Sequence, residues 1–307
     1  MINRALIRLK VVQVLYSGRI KQESQLAKIE KELKASMDKS YELYNMLLGL
    51  IIDLTDQEER LQDEAKNKYF PLEEDLHPNT KFVNNKIAEV LRNEPELSRF
   101  RKETGCTWND NEIFLRLMLD KIKHSELYVN YMNNEQTDLE EDFLLWKEIL
   151  KTEIYNDDTF RDELETRSVY WNDDLEVMGQ FAIKTLKRIE ENQEMILLPK
   201  FKNEDDEKFA FDLLSYSLRE IDQNDGIINQ FVKEEKWAPE RIGMMERLIM
   251  DVALSEIKNF DSIPVNVSLN EYIEITKSYC SAESGRFVNG ILHYAVQNMK
   301  KQGEIRK

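Results

Sequence analysis

Apolar residues return along this chain at the spacing of α-helices, most regularly between residues 265 and 292. Leu269, Tyr272, Ile273 and Thr276 stand at i, i+3, i+4 and i+7, which gives a helix one apolar face. Ser268 and Glu271 have the spacing of a capping box, so a helix start is expected at Ser268. A polar break follows at residues 281–284. A second helix then opens at Ser284, with Phe287, Val288, Ile291, Leu292, Ala295 and Val296 facing inward. Gly290 costs that helix about 1 kcal/mol relative to alanine, so close approach of another helix is expected there. Only 9 glycines and 6 prolines occur, among many Leu, Ile, Glu and Lys residues, and this favours an all-α fold.

A chain of 307 residues has room for about two domains of roughly 150 residues each. Its 43 basic and 59 acidic residues leave a net charge of −16, which argues against nucleic-acid binding by the whole surface but not by a local patch. Cys106 and Cys280 lie far apart without CxxC spacing, as in a reduced, cytoplasmic protein. No apolar run reaches the ~18 residues of a membrane span, and Arg4, Arg8 and Lys10 interrupt the first apolar segment, so no signal peptide is expected.

Catalytic patterns are missing from the sequence. There is no Gly-rich phosphate loop and no GxSxG elbow. Glu74 and His77 have di-iron spacing, but the pattern occurs once, just before Pro78, where a bundle site needs two copies and two further carboxylates. Glu140, Glu141 and Asp142 read as a solvated face. No enzyme activity, metal or cofactor is expected.

In chain order, residues 3–19 read as a helix apolar nearly all round, hence buried among others. Arg4 and Arg8 lie one turn apart on one face, and from Met1 to Gln22 there are five basic residues and no acidic one. That segregation is read either as solvated arginines or as a phosphate-contacting end. A polar linker is expected next, with a helix starting at Asp38 or Ser40 and stopping before Tyr69-Phe70-Pro71. Shorter helices follow, one capped by Thr80, one by Asn109 or Asp110, one starting at Thr137-Asp138 and one capped by Asp157 or Asp158. A longer one after Asp173-Asp174 is expected to end near Pro199. Asn203 caps the next helix, which Asp225-Gly226 is expected to loosen, and Pro239 suits the first turn of another.

The residues from 265 onward form the string Val265-x3-Leu269-Asn270-Glu271-x2-Glu274-x2-Lys277, then Ser284-x2-Phe287-Val288-Asn289-Gly290. Upstream stand Trp237-Ala238-Pro239-Glu240-Arg241-Ile242, Glu246-Arg247-Leu248-Ile249, Val252-Ala253, Glu256 and Pro264-Val265. Near the N-terminus stands Arg8-x4-Gln13-Val14-Leu15-Tyr16. Together these resemble the NusB family of bacterial transcription antitermination factors. The resemblance covers roughly residues 205–300 and, more briefly, the N-terminus.

It implies a NusB-like helical bundle with two subdomains and an inserted acidic helical region. The expected division is residues 1–61 and 204–307 as NusB-like helices and 62–203 as the insert. It further implies a non-enzymatic protein that binds boxA-like RNA, pairs with NusE, a small-subunit ribosomal protein, and is delivered to elongating RNA polymerase in support of ribosomal RNA transcription. By the family's arrangement Arg4 and Arg8 would lie near Arg286 and Phe287, forming the RNA-binding site. For Phe287 both burial and base stacking remain open. The other reading is an acidic protein–protein adaptor that has lost RNA binding.

Overall fold

In the computed structural model, residues 1–193, 196–234, 242–281 and 283–305 are described. Among them the chain is all-α, with no sheet strand and one isolated bridge between Ile2 and Phe201. In order come α1 (Arg4–Lys21), α2 (Leu26–Lys66), α3 (Glu73–Leu76), α4 (Lys86–Asn93), α5 (Pro95–Thr104), α6 (Glu112–His124), α7 (Glu126–Asn133) and α8 (Leu139–Glu148). A π-helical turn (Ile149–Ile154) precedes α9 (Asp158–Arg167), α10 (Leu175–Glu190), α11 (Glu204–Glu234), α12 (Met244–Asn259), α13 (Val265–Tyr279) and α14 (Ser284–Gln302).

The chain divides into two compact units. One is Met1–Met37 with Lys200–Lys307, and the other is Asp38–Pro199. The sequence placed the divisions at 61/62 and 203/204; the compact units change over at 37/38 and 199/200, and the first change falls inside α2.

In the first unit, α1 is buried at Leu6, Ile7, Val11, Val12, Val14 and Leu15, which matches its all-round apolar pattern. Asn3 caps it, accepting from the Leu6 N–H at 2.9 Å. It packs against α11, α12 and α13, while α14 packs against the same three. Asn203 caps α11 as expected, accepting from the Asp206 N–H at 3.0 Å. The helix then continues unbroken through Gly226 to Glu234, because a single exposed glycine does not outweigh Leu213, Leu214, Ile228 and Val232 buried along one side.

Three expectations in this unit need correction. The linker before residue 38 is helix from Leu26, because Ile29, Leu33 and Met37 bury one stripe at i, i+4 and i+8. The helix expected from Ser268 begins at Val265, after Pro264, and Ser268 and Glu271 make tertiary contacts instead of capping it. Among the described residues no helix approaches Gly290; it is exposed, and a Cβ there would meet open space. Residues 235–241, including Trp237 and Pro239, lie outside the described residues.

The second unit is built around aromatic clusters. Trp108 stacks with Phe114 at 5.3 Å, and Phe82 meets Trp146 at 5.3 Å and Tyr128 at 5.2 Å. Asp138 and Asp157 cap α8 and α9, as expected. Asn85 caps α4 in place of Thr80, and Asn111 caps α6 in place of Asn109 or Asp110. Pro95 opens α5 in its first turn, where a missing N–H costs nothing. α10 ends at Glu190, short of Pro199.

Candidate nucleic-acid interface

The first helix brings its basic residues into the first unit, and each of four meets a carboxylate from elsewhere in that unit. Arg4 Nε lies 3.3 Å from Asp206 Oδ1, and its guanidinium sits 5.0 Å over the Phe209 ring. Its side chain stays 38% exposed. Arg19 Nη2 reaches within 3.9 Å of Asp251, and Lys21 lies 3.2 Å from Glu32. Lys10 is buried.

Arg8 is held most firmly. Its Nε and Nη2 donate to the two oxygens of Glu256 at 2.7 and 2.9 Å, and Nη1 donates to Glu271 at 3.3 Å. Glu256 is fully buried, and its oxygens also accept from the Ser268 and Tyr272 hydroxyls at 2.6 and 2.9 Å. That buried carboxylate thus receives four donors from α1 and α13. Burial opposes the charge on Arg8, but the hydrogen bonds and charge of Glu256 outweigh it and raise the arginine above its ordinary pKa. Burial, with Glu256 beside it, pushes the Tyr272 phenol well above its usual range.

Arg8 is therefore a clamp rather than a surface cation. Only 3% of it is exposed, and the edge that would grip a phosphate is taken. The expectation that it forms part of an open cationic end does not match this placement, because its partners, 248 and 263 residues away, are not visible in local spacing. One signal for the clamp does exist in the sequence. Ile249, Val252, Ala253 and Glu256 share one helical stripe, and a glutamate on an inward stripe requires a partner.

Arg286 is exposed on the first turn of α14, and no ion pair joins it to the described residues. Phe287 is half-buried. Among the described residues no hydrogen bond or ion pair joins Arg4 or Arg8 to Arg286. Arg8 meets Glu271 and Gln13 donates to the Tyr279 hydroxyl at 2.9 Å, so α1 and α13 run in the same sense. The end of α13 that leads into α14 therefore lies level with the middle of α1, not with Arg4.

Charge is shared unequally between the units. Residues 38–199 hold 20 of the basic and 37 of the acidic side chains, a net −17. The remaining 23 basic and 22 acidic side chains leave the first unit at +1. Anions are thus not repelled by the net charge of the unit that carries Arg4 and Arg286.

In the same unit Asp251 is 1% exposed, and neither of its carboxyl oxygens has a hydrogen-bond partner among the described residues. Arg19 at 3.9 Å is too far for a hydrogen bond. Burial, reinforced by the charge of Asp225, pushes this carboxyl up to about 8, against the pull of Arg19, Arg247 and Lys258. Between its ordinary pKa of 3.8 and about 8 the folded protein holds a proton that the unfolded chain has released. Stability attributable to this group therefore falls as pH rises through that window, by at most about 1.4 kcal/mol per pH unit. Asp251→Asn, neutral at every pH, is expected to match wild type near pH 4 and to be the more stable protein at pH 8. Melting temperatures of both across that range check this, and a constant difference would refute it.

Among the described residues no group of His, Cys, Asp and Glu could hold a metal ion, and no helix is long and apolar enough to cross a membrane.

The sequence model described as the NusB family matches residues 176–297, from α10 into α14. The chain is similar to the transcription antitermination protein NusB of Dictyoglomus thermophilum, 40% identical over 99 residues, which is 32% of this chain and 67% of that protein. It is 40% identical to the NusB of Oceanobacillus iheyensis over 89 residues, 28% of this chain and 71% of that protein. It is 42% identical to the NusB of Bacillus thuringiensis over 72 residues, 23% of this chain and 55% of that protein. No solved structure matches the chain.

Proposed function

The chain belongs to the NusB family, and from that premise we propose that it is a non-enzymatic, RNA-binding factor of transcription antitermination. It captures boxA-like RNA, pairs with NusE, and is delivered to elongating RNA polymerase, supporting ribosomal RNA transcription in the cytoplasm. The likeness to the NusB relatives carries this reading. The near-neutral first unit, with Arg4 partly exposed and Arg286 exposed and without an ion pair among the described residues, supports it electrostatically. Arg8 acts behind that surface by holding α1 in place. Phe287 is half-buried in the first turn of the same helix as Arg286.

The test is a titration of boxA-like RNA at several salt concentrations, with and without NusE. Each phosphate neutralised on single-stranded RNA contributes about −0.7 to the log–log salt slope. Arg4→Ala/Arg286→Ala is therefore expected to weaken binding and to flatten the slope by about 1.4. Affinity and slope equal to wild type would remove these two residues from the interface.

The acidic-adaptor reading has one observation in its favour, the pairing of the N-terminal cations with carboxylates. Recovery of NusE without RNA in a pull-down would select it.

A further inference from the structure

We propose that the second unit carries a docking surface for a lysine- and arginine-rich polypeptide with an apolar anchor. The surface begins where α2 ends. Tyr69 and Phe70 are 91% and 83% exposed, and their rings meet edge to face at 4.6 Å. Leu72 and Leu76 are exposed just beyond, the one capping the short helix α3 and the other ending it. Arg116 of α6 pairs with Glu64 of α2 at 3.1 Å, which sets the outward stripe of α6 beside the last turns of α2. That stripe carries Ile113 and Leu117, both exposed. Large apolar side chains standing in water around the end of α2, two of them aromatic rings in contact, are the composition of a binding surface rather than of ordinary solvated surface.

Charge selects the occupant. Glu73 and Glu74 stand exposed between the apolar positions. The cations nearby are already engaged: Lys66 with Asp63, Lys68 with Asp75, and Arg116 with Glu64 and Glu112. The unit as a whole carries −17. RNA and anionic lipid are repelled by such a field. A second copy of this chain would bring like charge against like. A cationic polypeptide is attracted, and its apolar residues would cover the rings. The proposal is independent of RNA binding, since the residues assigned to RNA belong to the other unit.

The experiment uses the full chain and two labelled probes, a peptide of Leu-Lys-Lys-Leu repeats and poly-L-lysine of equal charge, followed by fluorescence anisotropy. The amphipathic peptide is expected to bind about tenfold more tightly than poly-L-lysine, the gain from one or two apolar anchors. Tyr69→Ser/Phe70→Ser is expected to abolish that preference, and Glu73→Gln/Glu74→Gln to weaken both probes. Leu117→Ser, at a separate exposed position, is expected to reduce the preference in the same direction. The proposal is overturned if the aromatic variant keeps the preference, or if neither probe binds. It is also overturned if wild type sediments as a dimer that the aromatic variant dissolves, or if single-stranded RNA binds and is lost in that variant.

Discussion

Arg8→Ala is expected to destabilise the protein by about 3–5 kcal/mol, the usual cost of removing one partner from a buried ion pair. The reason lies less in the attraction lost than in what remains. Glu256 is fully buried and would keep its charge with only the Ser268 and Tyr272 hydroxyls to solvate it. A carboxylate left in that state draws in water, opening the contact between α1 and α12. Urea denaturation followed by far-UV circular dichroism measures the loss. Arg8→Met/Glu256→Met removes both charges together and is expected to cost less than Arg8→Ala, because no uncompensated ion is left behind. A loss below about 1 kcal/mol for Arg8→Ala would mean that the clamp is solvated and that Arg8 is free for other work. RNA affinity lost in Arg8→Ala would accompany unfolding, so the interface is better tested at Arg4 and Arg286.

Asp53→Ala is the second large effect, and it falls in the other unit. Asp53 is fully buried in α2 and accepts from the Arg101 guanidinium, from the Thr107 hydroxyl at 3.1 Å, from the Trp108 N–H at 2.9 Å and from Asn109 Nδ2 at 2.9 Å. One carboxylate thus ties the loop after α5 to α2 and fixes Trp108 against Phe114 and Phe160. Removing it strands a buried N–H and a largely buried guanidinium, for a loss of about 3 kcal/mol. Asp53→Asn keeps one acceptor oxygen and is expected to fall between wild type and Asp53→Ala. Three of the four tryptophans, Trp108, Trp146 and Trp171, lie in this unit, so tryptophan fluorescence of a Trp237→Phe background during urea unfolding reports on it. Equal midpoints for wild type and Asp53→Ala would show that the loop is held by packing alone.

The two hubs differ in how far the sequence reveals them. The caps Asn203, Asp138 and Asp157 are legible because a cap bonds its partner within three residues. The all-round burial of α1 is legible from its lack of a polar face. Ser268 and Glu271 are misleading for the same local reason. Their spacing fits a capping box, yet Ser268 is drawn to Glu256 and Glu271 to Arg8. The basic run at the N-terminus is misleading in the same way, since each carboxylate that pairs with Arg4, Arg8 and Arg19 comes from the far end of the chain.

The all-α class and the likeness to NusB followed from the sequence alone, because they rest on periodicity and on residues a few positions apart. Which cations face solvent was decided only by the tertiary structure. A charge has no preference for water that a well-placed buried carboxylate cannot override, and the carboxylate that holds Arg8 lies 248 residues along the chain.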